Sequence, residues 1–546
     1  MRKAQQWSLA IVLVCALSAV EAAAYAASMF PKNSLVRKRC IACHMPDQNG
    51  RLEVIEETRK TPEEWKVVVD RMIAMDGATL DDAEFPPVIK ELSKHLCLTP
   101  EEMAEVAYLN SDENSQYREI PRSDLEMQIM GACARCHTFG KIKSHRNTLQ
   151  QWAEVRNLHL GYYPTAVFQM REMDWPKVFK DLLDPLSKLY AFEDPRWHEW
   201  MKNRKEQDLT GKWKVAGYQP GLGYYDGAYI FKSDPARGED EYRIEREVKY
   251  ENGTTLKMTG EGTLYSEFHL RLSFAATPLT GRVEGVFDLD GSQTGFKGKW
   301  WTVVQDSNAY GDETFYKVGG DPRLFAVYPK SIRAADGLKQ KITLVGVGLS
   351  AKVTEAEIRF SASNVKVSKI LKAEDSKIVC QVQAASVAST GPAKLSVKGI
   401  SCDEAITIFD KIDGIKVLPE LGRARVSGGA AYPPQGVQFV ARGLSFGSDG
   451  KPNTDDDLVL EAVDATWWLE EEATREGDDD LMWLQAPIMN GLYSPVTTYG
   501  PIIGRMQNQE GVGLIAVGAA YTEGTRELKG RALLAVTVPD FIPHIK

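Results

Sequence analysis

Cys40-Ile41-Ala42-Cys43-His44 and, further along, Cys133-Ala134-Arg135-Cys136-His137 decide how this chain is read. Both are C-x-x-C-H, the attachment signature of c-type haem, and two copies in one chain make coincidence improbable. The spacing follows from the chemistry. Two thiols on adjoining turns bond to two edges of one macrocycle, and the imidazole that follows swings beneath the ring to hold the iron. Cys40, Cys43, Cys133 and Cys136 are therefore the expected attachment residues, and His44 and His137 the proximal ligands. A thioredoxin-like redox pair would need a βαβ setting that this region lacks, and zinc would need a compact cluster of further ligands.

Working outward, the two regions repeat one another. Thr61-Pro62-Glu63-Glu64-Trp65 precedes Met72, and Thr148-Leu149-Gln150-Gln151-Trp152 precedes His159, with seven positions from tryptophan to Met72 or His159 in both. Residues seven apart share one face of a helix, two turns removed, so an indole packs near the haem while the second side chain reaches iron. Met72 and His159 are the expected sixth ligands. Met75 and His95 compete for the first haem, and His145, Met170 and Met173 for the second. The stretches 88–94 and 182–188 also resemble each other and predict a closing helix in each half. With these ligands the first haem is His/Met and the second bis-His, and the thioether raises the first potential above the second. Two six-coordinate irons leave no open position for a substrate, which points to electron transfer. A di-haem peroxidase, with one open iron and a distal acid–base group, is the alternative from another class.

At 546 residues the chain is too long for one core, and three or four domains are expected. Its net charge of −9 and the absence of a lysine–arginine tract exclude nucleic-acid binding, which needs a basic face. Arg2 and Lys3, an apolar run over 9–20 and Ala24-Tyr25-Ala26 read as a secretory signal over 1–27, cleaved after Ala26 or Ala27, so the expected compartment is the periplasm. That run is shorter than the roughly 20 residues of a spanning helix, and no later segment is long enough. Of the eight cysteines, Cys15 leaves with the signal and Cys97 reads as a small buried hydrophobe. Cys380 and Cys402 are able to pair in an oxidising compartment.

Beyond the di-haem region, 28–206, the texture turns to alternating Val, Thr and Tyr with glycine turns, the pattern of antiparallel strands. The expected architecture is multidomain: an all-α di-haem cytochrome c domain followed by three all-β domains. The first, 207–320, opens on Gly211-Lys212-Trp213, which resembles the G-x-W start of lipocalin-like barrels, and has candidate strands at 242–248, 255–260, 269–274 and 297–303. The tryptophan of such a start can plug any barrel end, and a small-molecule pocket in the barrel mouth is the lesser alternative. Two immunoglobulin-like sandwiches are expected over 321–410 and 411–546, the former with strands near 342–345, 357–360, 377–382 and 394–398. An acidic loop over 449–457 invites calcium, although the EF-hand order of ligands is not reproduced.

This order of parts resembles the large subunit of quinohaemoprotein amine dehydrogenase, over nearly the whole chain. The specific part of the resemblance is Cys40 to His44, Cys133 to His137, Trp65 with Met72, and Trp152 with His159-Leu160-Gly161. It implies two covalently bound haems c, one His/Met and one bis-His. It also implies two partners, a β-propeller subunit and a small subunit whose cysteine tryptophylquinone oxidises primary amines to aldehydes and ammonia. Catalysis of amine oxidation then lies off this chain, which collects electrons for a soluble blue copper protein or cytochrome c. The haems of such a chain are also suited to serving some other dehydrogenase, and isolating the complex separates these readings.

Overall fold

In a computed structural model, residues 27–106, 121–134, 139–161, 166–277, 281–290, 294–302, 309–426, 434–474, 476–484, 486–495 and 511–537 are described. The signal expected over 1–27, apart from its last residue, and Cys136 and His137 of the second motif lie outside them. The N-terminal region forms two helical lobes. The first is built on helices Leu35–Cys40, Pro62–Asp76 and Phe85–His95, the second on Asp124–Cys133, Leu149–Gly161 and Trp175–Leu189. The stretches 88–94 and 182–188 fall inside the closing helices, as expected.

Local chemistry starts the central helices in the same way. Thr61 accepts from the Glu64 amide (3.2 Å) and Thr148 from the Gln151 amide (3.1 Å), each satisfying a donor that has no partner within its helix. Pro62 at the first helical position has no N–H to leave unpaired. The helix ends at Gly77, whose φ of 72° glycine adopts without strain, and the Gly77 and Ala78 amides both turn back to the Met72 carbonyl. Met72 therefore stands in the last turn, fixed by the stop signal.

An offset of 87 residues carries Thr61 onto Thr148 and Trp65 onto Trp152. It also carries Thr58–Lys60 (β1) onto His145–Asn147 (β2), which pair antiparallel as Thr58↔Asn147, Arg59↔Arg146 and Lys60↔His145. The all-α expectation is corrected here. Three-residue, charge-bearing segments have no apolar alternation to betray a strand.

Strands β3 to β10 (Gly211–Gln219, Gly223–Ser233, Glu241–Tyr250, Thr255–Tyr265, His269–Phe274, Val283–Leu289, Gly295–Thr302, Tyr310–Lys317) close into an eight-stranded barrel. Alternate residues of β5, Tyr242, Ile244, Arg246, Val248 and Tyr250, are buried while those between are exposed. Trp213 meets Phe231, Phe296 and Phe315 at ring-centroid distances of 6.0, 5.6 and 5.8 Å, so this tryptophan packs into the barrel interior. Arg246 and Glu313 form an ion pair inside this apolar mass. Glu313 also accepts from the hydroxyls of Tyr225 (2.8 Å) and Tyr229, and Trp300 donates to Tyr225 (2.7 Å). Breaking such a pair strands a buried charge, so Glu313→Ala is expected to cost about 3–5 kcal/mol in denaturant unfolding while Glu313→Gln costs less.

The barrel is docked to the first lobe. Leu98, Met103 and Val106 join its core cluster, Ser266 donates to the Ser93 carbonyl (2.8 Å), and Arg204 pairs with Glu267 (3.1 Å). At the start of the Met72 helix, Glu63 meets Arg271 and the buried His269, whose Nδ1 lies 2.6 Å from Asp288. Burial alone would raise the Glu63 carboxyl, but Arg271 and His269 outweigh it and hold it well below the usual range. The root of that helix is thus clamped by the barrel.

The next region places a four-stranded sheet (Arg323–Tyr328, Gln340–Val347, Lys377–Ala384, Val365–Glu374) against shorter sheets over a core that includes Ile342, Leu344, Cys380 and Ile408. The last has a four-stranded sheet containing Gly513–Glu523 and Arg526–Thr537 over a core with Phe439, Tyr493 and Ile515. Two pairs run parallel, Ser331–Arg333 with Ile406–Phe409 and Leu421–Arg425 with Arg526–Thr537, where only antiparallel strands were expected. Their partners lie far apart in sequence, so no turn signal links them.

Cys380 and Cys402 share a core as free thiols, both pushed by burial to about 12, and no bridge joins them. Cys97 is fully buried, as expected. In the acidic loop Asp456 accepts from the Ser448 amide (2.6 Å), the Ser448 hydroxyl (2.8 Å) and Thr454 (2.8 Å), and Asp457 from the Asn453 amide (2.7 Å). These carboxylates are occupied in holding the loop's own shape.

Candidate functional site: two haem lobes

Both attachment motifs begin where a helix runs out. Cys40 is the last residue of Leu35–Cys40, and Cys133 the last of Asp124–Cys133. The Cys40 carbonyl accepts from the amides of Cys43 (3.2 Å) and His44 (2.9 Å), which winds both cysteines and the histidine into one turn. Beyond it the chain doubles back. Asp47 accepts from the amides of Asn49 (2.8 Å) and Arg51 (2.9 Å), and the Glu53 amide bonds to the Met45 carbonyl (3.2 Å). This returns the Glu53 carbonyl to 3.1 Å from His44 Nδ1. With Nδ1–H donating to that carbonyl, Nε2 is the nitrogen presented for a metal, the arrangement that orients and strengthens a histidine ligand.

Trp65 and Val69 of the Met72 helix share a core cluster with Cys40. The Trp65 indole donates to the Leu96 carbonyl (3.1 Å), just past the closing helix. The second lobe repeats this. Trp152 and Val155 cluster with Cys133, and the Trp152 indole donates to the Tyr190 carbonyl (3.3 Å). His159 Nδ1 lies 2.7 Å from the Val155 carbonyl one turn earlier, which again directs Nε2 outward. Met72 and His159 are both half-buried. Burial pushes the Cys40 and Cys133 thiols up to about 11, Cys40 with help from Glu91, so both are protonated at neutral pH until alkylated.

The rival ligands are engaged differently. His95 packs edge-on against Phe30 (5.2 Å) and is pushed down to about 4 by burial and by Arg204 and Lys94. His145 is held by the Lys141 carbonyl and stands 3.6 Å from Glu64. Met170 is buried against Trp175, whose indole donates to its carbonyl (3.1 Å). Met173 is half-buried beside it and Met75 is exposed.

The residues present fit covalently held porphyrin. Ile41, Met45, Ile73 and Met75 are exposed beside the first motif and its helix, and Leu158, Leu160, Val167 and Phe168 beside His159, an apolar lining that a flat macrocycle would cover. Among the described residues no group of three His, Cys, Asp or Glu side chains is placed to hold a bare metal ion.

Sequence reasoning missed the ribbon between the lobes. Lys60 on β1 is buried, 5.8 Å from the Trp65 ring, and burial pushes its ammonium down to about 7 despite the nearby Glu64. A lysine depressed in the folded state destabilises fully below about pH 7, and the penalty fades as pH rises toward the unfolded value of 10.5. Lys60→Met is therefore expected to raise Tm by several degrees at pH 6 and hardly at pH 10, as calorimetry would measure. Because buried charges satisfied by partners distant in sequence follow no periodicity, the only signal was that 58–60 and 145–147 stand in equivalent places before the two Thr–Trp repeats.

Among the described residues no helix is long and apolar enough to cross a membrane. Four family profiles match the chain. Residues 31–197 match "Quinohemoprotein amine dehydrogenase A, alpha subunit, haem binding", and 206–313, 321–410 and 415–544 match domains II, III and IV of that alpha subunit. No curated protein matches. Among solved structures, a de novo designed fluorescence-activating β-barrel is 17% identical over 20% of this chain and 94% of its own (TM-score 0.17). Domains 5–6 of the S-layer protein SbsC are 16% identical over 40% of this chain and 100% of their own (TM-score 0.16), and the Yersinia pseudotuberculosis adhesin InvE is 14% identical over 39% and 58% (TM-score 0.14).

Proposed function

Given that the chain belongs to the alpha subunits of quinohemoprotein amine dehydrogenase, the haem-binding part of an oxidoreductase complex, we propose that it is the two-haem electron relay of such a complex. Electrons enter from a cysteine tryptophylquinone on a small partner subunit, where a primary amine is oxidised to aldehyde and ammonia. They leave to a soluble blue copper protein or cytochrome c in the periplasm, and a β-propeller subunit completes the assembly.

The observation that carries this reading is the mirrored pair of lobes. Each has a cysteine at a helix end and an indole donating past the closing helix, and in addition the motif histidine of the first lobe, His44, and the helix histidine of the second, His159, each have Nδ1 tied to a backbone carbonyl. Bound haem supplies reversible one-electron chemistry at iron. Around it, Cys40 with Cys43 and Cys133 with Cys136 provide the thioether anchors. His44 with Met72, and His137 with His159, would hold the two irons. Trp65 and Trp152 keep water from the sites, and the bonds from His44 to Glu53 and from His159 to Val155 fix each ring's tautomer and direction. We read the second and third β regions, 321–410 and 411–546, as immunoglobulin-like sandwiches that present the relay to its partners. No residue of this chain is assigned to the amine.

The native complex provides the test. Adding a primary amine under anaerobic conditions should reduce its haems within the turnover time, and quinone staining should mark a smaller chain. A complex with no quinone-bearing chain and no amine-dependent haem reduction overturns the proposal, and peroxide turnover by this chain alone would replace it with the peroxidase reading.

A further inference from the structure

The joint between the lobes is made of charge. Arg59 and Arg146, related by the 87-residue offset, are cross-strand partners on the ribbon. Two guanidinium groups brought together in a protein interior repel strongly. Glu102 answers both, with Oε2 2.7 Å from Arg59 Nη1 and Oε1 2.7 Å from Arg146 Nε. Arg59 is completely buried, and the other two very nearly so. The remaining donors reach carbonyls, Arg59 Nε that of Phe192 (2.8 Å) and Arg146 Nη1 that of Lys143, and aromatic rings cover both groups, Trp197 at 4.6 Å and Tyr190 at 5.2 Å. The charges beside this triad are answered in turn, Glu64 by Lys141, and Glu105 and Glu126 by Lys143 together with Arg122, while burial pushes the Lys60 ammonium of the same ribbon down to about 7. Two cations and one anion leave one positive charge in excess.

The ribbon that carries this charge is, through its backbone amides, one hydrogen-bonded step from the tryptophan of each lobe. The Lys60 amide and the Trp65 indole donate to the same Leu96 carbonyl (3.0 and 3.1 Å), and the Asn147 amide and the Trp152 indole to the same Tyr190 carbonyl (3.1 and 3.3 Å). Reduction adds an electron to each site, so a positive charge shared between them favours the reduced form of both. We propose that Arg59, Glu102 and Arg146 are positioning residues that hold one net positive charge on the internal two-fold and thereby set both haem potentials together. This rests on the two-haem reading above.

Redox titration of the full-length haem-loaded protein, at fixed pH and ionic strength, tests it. The unsubstituted protein must first show two waves, and a single haem per chain would defeat the two-haem reading itself. Given two waves, Glu102→Gln should raise both, by about tenfold in the reduction equilibrium, roughly 59 mV for a one-electron couple. Arg146→Gln should lower both, and Arg59→Lys, which keeps the charge, should leave both in place. If Glu102→Gln does not accumulate, Arg146→Gln alone still carries a sign. A purely structural joint would lower Tm in every variant without opposite shifts. A change confined to one wave, the same sign for Glu102→Gln and Arg146→Gln, or no shift overturns the proposal.

Discussion

Cys40→Ser combined with Cys43→Ser is expected to halve the haem that resists acid–acetone extraction, read as the pyridine haemochrome absorbance per chain. The thioether bonds require both sulfurs, and the turn closed on the Cys40 carbonyl holds them with His44 as one unit. Without the bonds His44 and Met72 alone would have to retain the macrocycle, while the second lobe, with Cys133 on a separate helix, keeps its own. An unchanged haem content would mean that the first motif does not anchor porphyrin. The equivalent pair of substitutions at Cys133 and Cys136 should remove the other half, and both pairs together all of it.

Met72→Ala is expected to lower the potential of the first haem by an appreciable part of the roughly 0.8 V range that axial ligands command, and to abolish the methionine-to-iron charge-transfer band. Met72 stands near the end of a helix rooted by Glu63 against the barrel and stopped by Gly77, so the helix that carries it is held at both ends. His44 should remain bound through its Glu53 contact, and the second wave should not move by a comparable amount. A charge-transfer band that survives Met72→Ala would assign the sixth ligand elsewhere, with Met75 the first to test.

The parts of this site that could be read from sequence were those governed by local rules. Two motifs, two seven-residue spacings and two closing helices each involve neighbours along the chain, and helix geometry turns spacing into a shared face. The barrel strands were legible for a related reason. Tyr242, Ile244, Arg246, Val248 and Tyr250 alternate with exposed residues, and Arg246 is buried in this pattern because Glu313, on a strand far along the chain, neutralises it. The G-x-W start allowed a tryptophan that plugs the barrel end, but it says nothing of which rings meet behind it. The β1–β2 ribbon was invisible because its stability comes from Glu102, a residue outside both strands, and from registry between segments 87 positions apart. The strand Val365–Glu374 escaped because its exposed lysines and two register shifts blur the alternation.

Among the described residues the ladder of β1 and β2 is formed by these two strands alone, so neither lobe is self-sufficient. A truncation that ends before residue 121 would leave the edge of β1 unmated and Arg59 without its opposite number. Such a one-haem fragment should be a poor stand-alone cytochrome and should recover order when mixed with the complementary piece. The internal repeat thus consists of two halves that are obligate mates, each finishing the backbone of the other.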